Sequence, residues 1–279
     1  MTVNFIELYP KIHLYPNALE NPEWWIKDAL EGEGHQWNDW GIYGKAFSTS
    51  QRIVIHENFP EYDQFMKNAV YQSQYPAFAE TYGKSFYENT KHWLEMHPME
   101  LNNWISSCPA ICEYTVGEDQ GHGDTFTMAY HSDFTIGEET WPGDKFELTA
   151  TLYLNDDYDQ GEICFVIKEE DGSDTRFSYK PRPGEMMVFP ARPPYFHGVK
   201  RAFGKNRYIV RSFWQSRYPG DEAWHNGVKE YGEEKWNEMK QIEIHEYRQK
   251  HIPNPETYAN SYNRDNERLG LNPDGTLKI

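Results

Sequence analysis

The chain has 279 residues, a formal net charge of −17, and ten Trp, twenty Tyr and fifteen Phe. That length fits one large domain or two small ones, and the aromatic supply is enough to build a well-packed core. The acidity excludes a nucleic-acid partner, which needs clustered Lys and Arg, and equally disfavours docking on anionic membranes.

Cys108, Cys112 and Cys164 are too few and too scattered for a disulfide framework. The C-x3-C spacing of Cys108 and Cys112 lacks the second pair that a structural zinc site requires. The N-terminal stretch "MTVNFIELYPKIHLYP" has no basic region followed by an apolar one, and no apolar run is long enough to span a bilayer. The expectation is a soluble cytoplasmic protein.

In chain order, "NFIELY" reads as a strand. "NPEWWIKDALEG" reads as a helix with Asn21 as cap, Pro22 in the first turn and a closing glycine. "QRIVIHE" alternates like a strand, and "EYDQFMKNAVYQSQYPAFAETYGKSFYENTKHWLEMH" carries helical spacing interrupted at Pro76. From residue 111 the character changes to short strand-like runs: "ICEYTV", "TFTMAYH", "FELTATLYLN", "EICFVIKE", "TRFSYKP", "EMMVFPA" and "NRYIVRSFW". "EEDGSD" and "PRPG" mark turns between them. Such a succession predicts an antiparallel sandwich or barrel of the jelly-roll kind. After Pro219 a helical pattern runs to Pro253, followed by a polar tail expected to pack loosely. The reading is an α+β chain of one domain. Residues 1–110 give helical support, 111–218 the β core, and 219–279 a C-terminal helix and tail.

The chemistry centres on "AYHSDF" at 129–134. On an extended strand residues i and i+2 share a face, so His131 and Asp133 would aim an imidazole and a carboxylate at one point. A bare His-x-Asp is more often a surface turn than a ligand pair, and "GHGD" supplies a competing pair, His122 and Asp124. The flanking glycines there read as a loop, whereas "TFTMAY" before His131 reads as a rigid strand. A third ligand comes from "GEMMVFPARPPYFHGV", which carries His197. Two His and one carboxylate form a facial set that leaves adjacent coordination positions open, as in non-haem Fe(II) oxygenases. Arg207 then falls in the apolar strand of "FGKNRYIVRSFW", where a buried guanidinium demands an anionic partner. His13, His56, His92, His97 and His245 have no partners at ligand spacing and are left unassigned.

The ordered run of H-x-D, "LYLN", "GE", "PGEMMVFPA", "HGV" and G-x-x-R resembles the 2-oxoglutarate/Fe(II)-dependent dioxygenases, specifically the prolyl 4-hydroxylase-like branch. The resemblance covers about residues 111 to 215. It implies a double-stranded β-helix, a cupin-like jelly roll, with His131, Asp133 and His197 as iron ligands. It implies that Arg207 grips the distal carboxylate of 2-oxoglutarate, helped by Tyr153 in "TLYLN" and by Tyr114 in "EYTVG". Fe(II) would be the cofactor and 2-oxoglutarate the cosubstrate, with ascorbate as an optional reductant. The implied reaction turns 2-oxoglutarate and O2 into succinate and CO2 while hydroxylating a C–H bond. Related halogenases replace the carboxylate ligand by a small residue, so Asp133 favours hydroxylation. The implied substrate is a prolyl residue in a peptide or protein, with a free amino acid or other small molecule as the alternative. Trp141, in the loop "FTIGEETWPGDKF", is the candidate on a substrate lid. Arg211, four residues beyond Arg207, and Trp214 are the other substrate-side candidates. Two further classes stay open. A cupin-like zinc or iron enzyme without 2-oxoglutarate would leave Arg207 and Tyr153 without a role. A non-catalytic protein of the same fold predicts a damaged ligand set, which the sequence does not show.

Overall fold

The computed structural model describes residues 3–32, 37–39, 45–47, 54–73, 75–101, 104–106, 110–114, 126–134, 144–217, 222–236, 238–239, 242 and 264–278. An N-terminal hairpin pairs β1 (Ile6–Tyr9) with β2 (Ile12–Tyr15). Helix α1 (Pro22–Glu31) follows, then β3 (Trp37–Asp39), β4 (Lys45–Phe47) and β5 (Val54–His56). Helices α2 (Tyr62–Gln72) and α3 (Pro76–Met96) come next, with Pro76 opening α3. The β region continues with β6 (Trp104–Ser106), β7 (Ala110–Tyr114), β8 (Phe126–His131), β9 (Asp144–Tyr153) and β10 (Asp159–Gln160). It closes with β11 (Ile163–Lys168), β12 (Asp174–Tyr179), β13 (Met186–Pro190), β14 (Tyr195–Lys200), β15 (Ala202–Phe203) and β16 (Arg207–Arg217). Helix α4 (Glu222–Tyr231) lies beyond.

The strands form two main antiparallel sheets, with β10 and β15 pairing apart as a small two-stranded one. The larger runs β1-β2-β13-β9-β16-β7-β4-β3, with β6 also on β16 and β5 on β6; the smaller runs β12-β11-β14-β8. The chain passes repeatedly between the two, with β7, β9, β13 and β16 in one sheet and β8, β11, β12 and β14 in the other. This is the expected double-stranded β-helix.

Period-two alternation divides the side chains of the large sheet between two cores. Leu148, Ala150, Leu152, Met186, Val188, Val210 and Trp214 turn outward against Trp25 of α1, Phe65 of α2 and Phe78, Tyr82 and Phe86 of α3. Tyr153, Met187, Phe189 and Ile209 turn inward to meet Phe165 and Phe177 of the small sheet. The helices therefore cover the back of the large sheet, and the space between the sheets is left for the site.

Three expectations are corrected. Asn21 does not cap α1 through its side chain. It sits at φ 50° with no side-chain cap bond, and the left-handed backbone itself turns the chain into Pro22. The helix expected after Pro219 is interrupted at Gly232, which adopts φ 81° after Tyr231, and helix resumes over residues 233–236. The terminal segment, expected to pack loosely, is tied to the edge of the small sheet over residues 264–278. The backbone N–H groups of Arg176 and Ser178 on β12, and of Lys180 just beyond it, donate to Asp265 Oδ2 at 2.8 Å, Asn266 Oδ1 at 2.8 Å and the Gly275 carbonyl at 3.0 Å. These alternate residues are the outward-facing donors of an edge strand, which a protein must cover or pair. Leu271, fully buried, anchors the segment in the inner core.

Candidate metal centre and anion pocket

His131 is the last residue of β8 and His197 lies on β14, where the two are register partners. Their ring centroids are 4.4 Å apart. Asp133 lies just past the end of β8, so the i, i+2 strand argument delivers only His131. The carboxylate is placed by the turn that follows. That turn is held by the Phe134 N–H donating to the Ala191 carbonyl at 3.0 Å, and by Thr149 Oγ1 donating to Asp133 Oδ2 at 2.7 Å. Asp133 Oδ1 is 3.3 Å from His131 Nε2, and Oδ2 is 3.5 Å from His197 Nε2. One ligand atom from each of the three lies within 4.8 Å of the others, and all three residues are buried.

The protonation states suit a cation. The His131 Nδ1–H donates to the Ala129 carbonyl at 2.7 Å, which turns Nε2 toward Asp133. His131 Nε2 is buried with no hydrogen-bond partner. Burial pushes His197 down to about 3, so its ring is neutral. Burial opposes ionisation of Asp133, but His197, His131 and Arg211 outweigh it and hold the carboxyl below the usual range. Two imidazole nitrogens and a carboxylate converging on one buried spot are the donor set a cation bridges. The donor set fits a divalent metal.

A second feature lies on the inner face of the large sheet. Arg207, at the start of β16, is 2% exposed and makes no ion pair among the described residues; its Nε and Nη1 are buried without hydrogen-bond partners. The guanidinium stays charged at any biological pH. Its Cζ lies 5.3 Å from the ring centroid of Tyr114 and 5.4 Å from that of Tyr153. Tyr114 is its register partner on β7, and Tyr153 on β9 pairs with Ile209. The Tyr153 hydroxyl is also buried without a hydrogen-bond partner, and Tyr158 stands close to the guanidinium. A buried cation without an ion pair among the described residues, beside the unpartnered Tyr153 hydroxyl, fits an anionic ligand.

Of the substrate-side expectations, Arg211 shares the inner face with Arg207, and its charge is felt by both Asp133 and His197. Trp214 is corrected. It points to the opposite face, fully buried among Phe59, Phe65, Phe86 and Trp104, with Nε1 donating to Thr90 Oγ1 at 2.9 Å. Three positions separate it from Arg211 on a strand, so the two cannot share a face. Trp141, and the competing pair His122 and Asp124, lie outside the described residues. Thr149 was not anticipated. Its signal was the polar phase of "FELTATLY", where Thr149, Thr151 and Tyr153 alternate with the outward Leu148, Ala150 and Leu152.

A profile of the 2OG-Fe(II) oxygenase superfamily matches residues 113–215. The chain is 29% identical over 115 residues to prolyl 3-hydroxylase 2 of Mus musculus, a match covering 38% of this chain and 16% of that protein. It thus spans about a sixth of the length of that relative. Among solved structures it is similar to a 2OG-Fe(II) oxygenase family oxidoreductase from Burkholderia pseudomallei. That likeness has 15% identity and a TM-score of 0.45 over 75% of this chain and 85% of that one. A prolyl-4-hydroxylase from Pseudomonas putida aligns with 14% identity and a TM-score of 0.41 over 75% and 94%. Residues 113–215 are thus similar to the 2OG-Fe(II) oxygenase superfamily, and part of the chain is similar to a prolyl 3-hydroxylase.

Proposed function

We propose that the protein is an Fe(II)- and 2-oxoglutarate-dependent hydroxylase acting on a prolyl residue in a peptide or protein. One observation carries this reading. A buried His131–His197 pair with the Asp133 carboxylate, and an uncompensated buried guanidinium, both stand between the same two sheets. His131, Asp133 and His197 would hold the iron. Arg207, with the Tyr153 hydroxyl and Tyr114 beside it, would receive the distal carboxylate of 2-oxoglutarate. Bound Fe(II) supplies the oxidative decarboxylation of 2-oxoglutarate that is coupled to hydroxylation of a C–H bond.

The chain's own part is positioning and exclusion of water. The Ala129 carbonyl fixes the tautomer of His131, and Thr149 fixes the rotamer of Asp133. Phe189 and Phe165 wall in His197, with ring centroids 4.9 and 6.0 Å away. The packing of α1–α3 on the large sheet and of residues 264–278 on β12 supports reading 1–279 as one catalytic unit. Among the described residues no helix is long and apolar enough to cross a membrane. Cys164, a buried thiol outside any disulfide, is in keeping with a cytoplasmic setting.

Arg211 favours a second reading. A cation on the inner face beside the ligands suits the carboxylate of a free amino acid as readily as a peptide. One experiment separates these. The protein is incubated with Fe(II) and 2-oxoglutarate and either proline-containing peptides or free amino acids. Succinate is measured, with mass spectrometry for a gain of one oxygen. Oxygen gain on peptides supports the prolyl reading, and gain on free amino acids alone replaces it. The absence of succinate under every condition removes both.

A further inference from the structure

On the far side of the large sheet, a second group of ligand-type side chains converges. Glu7 of β1, His13 of β2 and His97 at the end of α3 bring one ligand atom each within 4.8 Å of one another. His13 Nε2 is 3.1 Å from His97 Nε2 and 3.5 Å from Glu7 Oε1. Two ligands of a tetrahedral zinc, each about 2.05 Å from the ion, stand about 3.3 Å apart, so the observed spacings bracket that value. Glu7 and His13 are register partners on one hairpin, and the fold brings the terminus of α3, 84 residues beyond His13, to meet them.

This cluster is distinct from the oxygenase centre. On β2, Ile12 and Leu14 turn into the inner core. His13, between them, turns to the helix side, where Phe5 stacks on it at 4.7 Å and Trp93 lies 6.3 Å away. The sheet itself separates the two sites.

The surroundings are built for ligation. His13 is fully buried, and its Nδ1 meets the Tyr15 hydroxyl at 3.4 Å, which in turn meets His92 Nδ1 at 3.1 Å. If the Tyr15 hydroxyl donates to His92, it accepts from His13 Nδ1–H, and the Nε2 lone pair of His13 then faces His97 and the Glu7 carboxylate. A lone pair beside a carboxylate oxygen is favourable only with a proton or a cation between them. A hydrogen-bond acceptor on the far ring nitrogen fixes the tautomer of a ligating imidazole. Trp93 holds the hairpin turn through its Nε1–H to the Lys11 carbonyl at 3.0 Å, and Glu7 Oε1 accepts from the Lys11 N–H at 3.3 Å. His97 ends α3, at the negative pole of the helix. Burial lowers the proton affinity of both His13 and His97, which keeps both rings in the ligating form. The Glu7 side chain is 46% exposed, which leaves a route for an ion and a water ligand.

We propose that Glu7, His13 and His97 form a second divalent-cation site, of the borderline class that Zn2+ represents, clamping the N-terminal hairpin to the end of α3. Two imidazoles and one carboxylate with an open fourth position suit that class rather than Mg2+ or Ca2+, which prefer oxygen.

The test is zinc stoichiometry of the full chain by equilibrium dialysis and elemental analysis. The wild type should bind two ions. Asp133→Ala and His97→Gln should each bind one, and Glu7→Gln should weaken one of the two ions at least tenfold. Glu7→Gln alters a half-exposed side chain and so stays informative if His97→Gln does not fold. In the Asp133→Ala protein, added Zn2+ should raise the melting temperature, and His97→Gln or Glu7→Gln in that background should abolish the rise. A wild type binding one ion that Asp133→Ala removes overturns the proposal, as does unchanged two-ion binding in both His97→Gln and Glu7→Gln. Loss of 2-oxoglutarate turnover is scored separately, so the two sites fail independently.

Discussion

His131 and His197 stand opposite each other in register on β8 and β14, with ring centroids 4.4 Å apart. The spacing depends on the residue after the second histidine. A Cβ at Gly198 would lie 3.0 Å from the Met128 carbonyl oxygen and 3.3 Å from the Tyr130 nitrogen, both backbone atoms of β8. A side chain here would require β8 to give way by a few tenths of an ångström. Gly198→Ala should push β14 away, lower iron affinity at least tenfold, and destabilise the fold by about 1–3 kcal/mol through overpacking. Iron occupancy and thermal melting check this; unaltered occupancy would show that the separation has slack.

Arg207→Ala should weaken 2-oxoglutarate binding by more than tenfold while iron binding persists. Loss of one partner from a buried charge pair carries about 2–5 kcal/mol. Anaerobic equilibrium binding measures it. Retained affinity would make Arg207 structural and pass the role to Arg211.

Much of the β core was legible because period-two patterning and Gly, Pro and Asp breaks are local signals. Each of the seven predicted runs overlaps a strand, from β7 to β16. β14 was not named as a strand, since "PARPPYFHGV" opens on prolines and hides its six extended residues. Asp133 was picked for its neighbour His131, yet it is placed by Thr149, a contact across 16 residues that no local pattern contains. Trp214 went astray for lack of face bookkeeping along β16. His13 and His97 were set aside because their partnership exists only after the β1–β2 hairpin docks against α3. The segment 264–278 looked like a loose tail because its Asp and Asn acceptors acquire meaning only beside the edge of β12.

Asn266→Ala tests that edge. Its side chain accepts from the Ser178 N–H at 2.8 Å and donates to the Asn272 carbonyl at 3.1 Å, and it is 1% exposed. Leaving a buried donor unsatisfied costs about 1–3 kcal/mol. The variant should melt lower and aggregate more readily through the uncovered strand. Denaturant titration with light scattering reads both, and wild-type values in each would mean that the segment is not needed to cover β12.

Without metal, stability should fall with acidification. His197 is pushed down to about 3 from an ordinary value of 6.5, so the unfolded chain takes up its proton first. Stability is therefore complete above about pH 6.5 and drains between about 6.5 and 3. His13 and His97, also lowered by burial, act in the same direction. Asp133, held below the usual carboxylate range, adds a further loss below about pH 4. In chelator, denaturant midpoints at pH 7.5, 6 and 5 should decline in the wild type and decline less in His197→Gln. Parallel slopes would contradict a neutral buried His197.

The central claim is that His131, Asp133 and His197 hold the iron that drives 2-oxoglutarate turnover. The most direct measurement compares iron occupancy and succinate formation in the wild type, Asp133→Ala and Asp124→Ala. The expected result is loss of turnover and reduced iron in Asp133→Ala, with both largely intact in Asp124→Ala. Turnover that survives in Asp133→Ala and vanishes in Asp124→Ala would contradict the account and move the metal to the upstream pair.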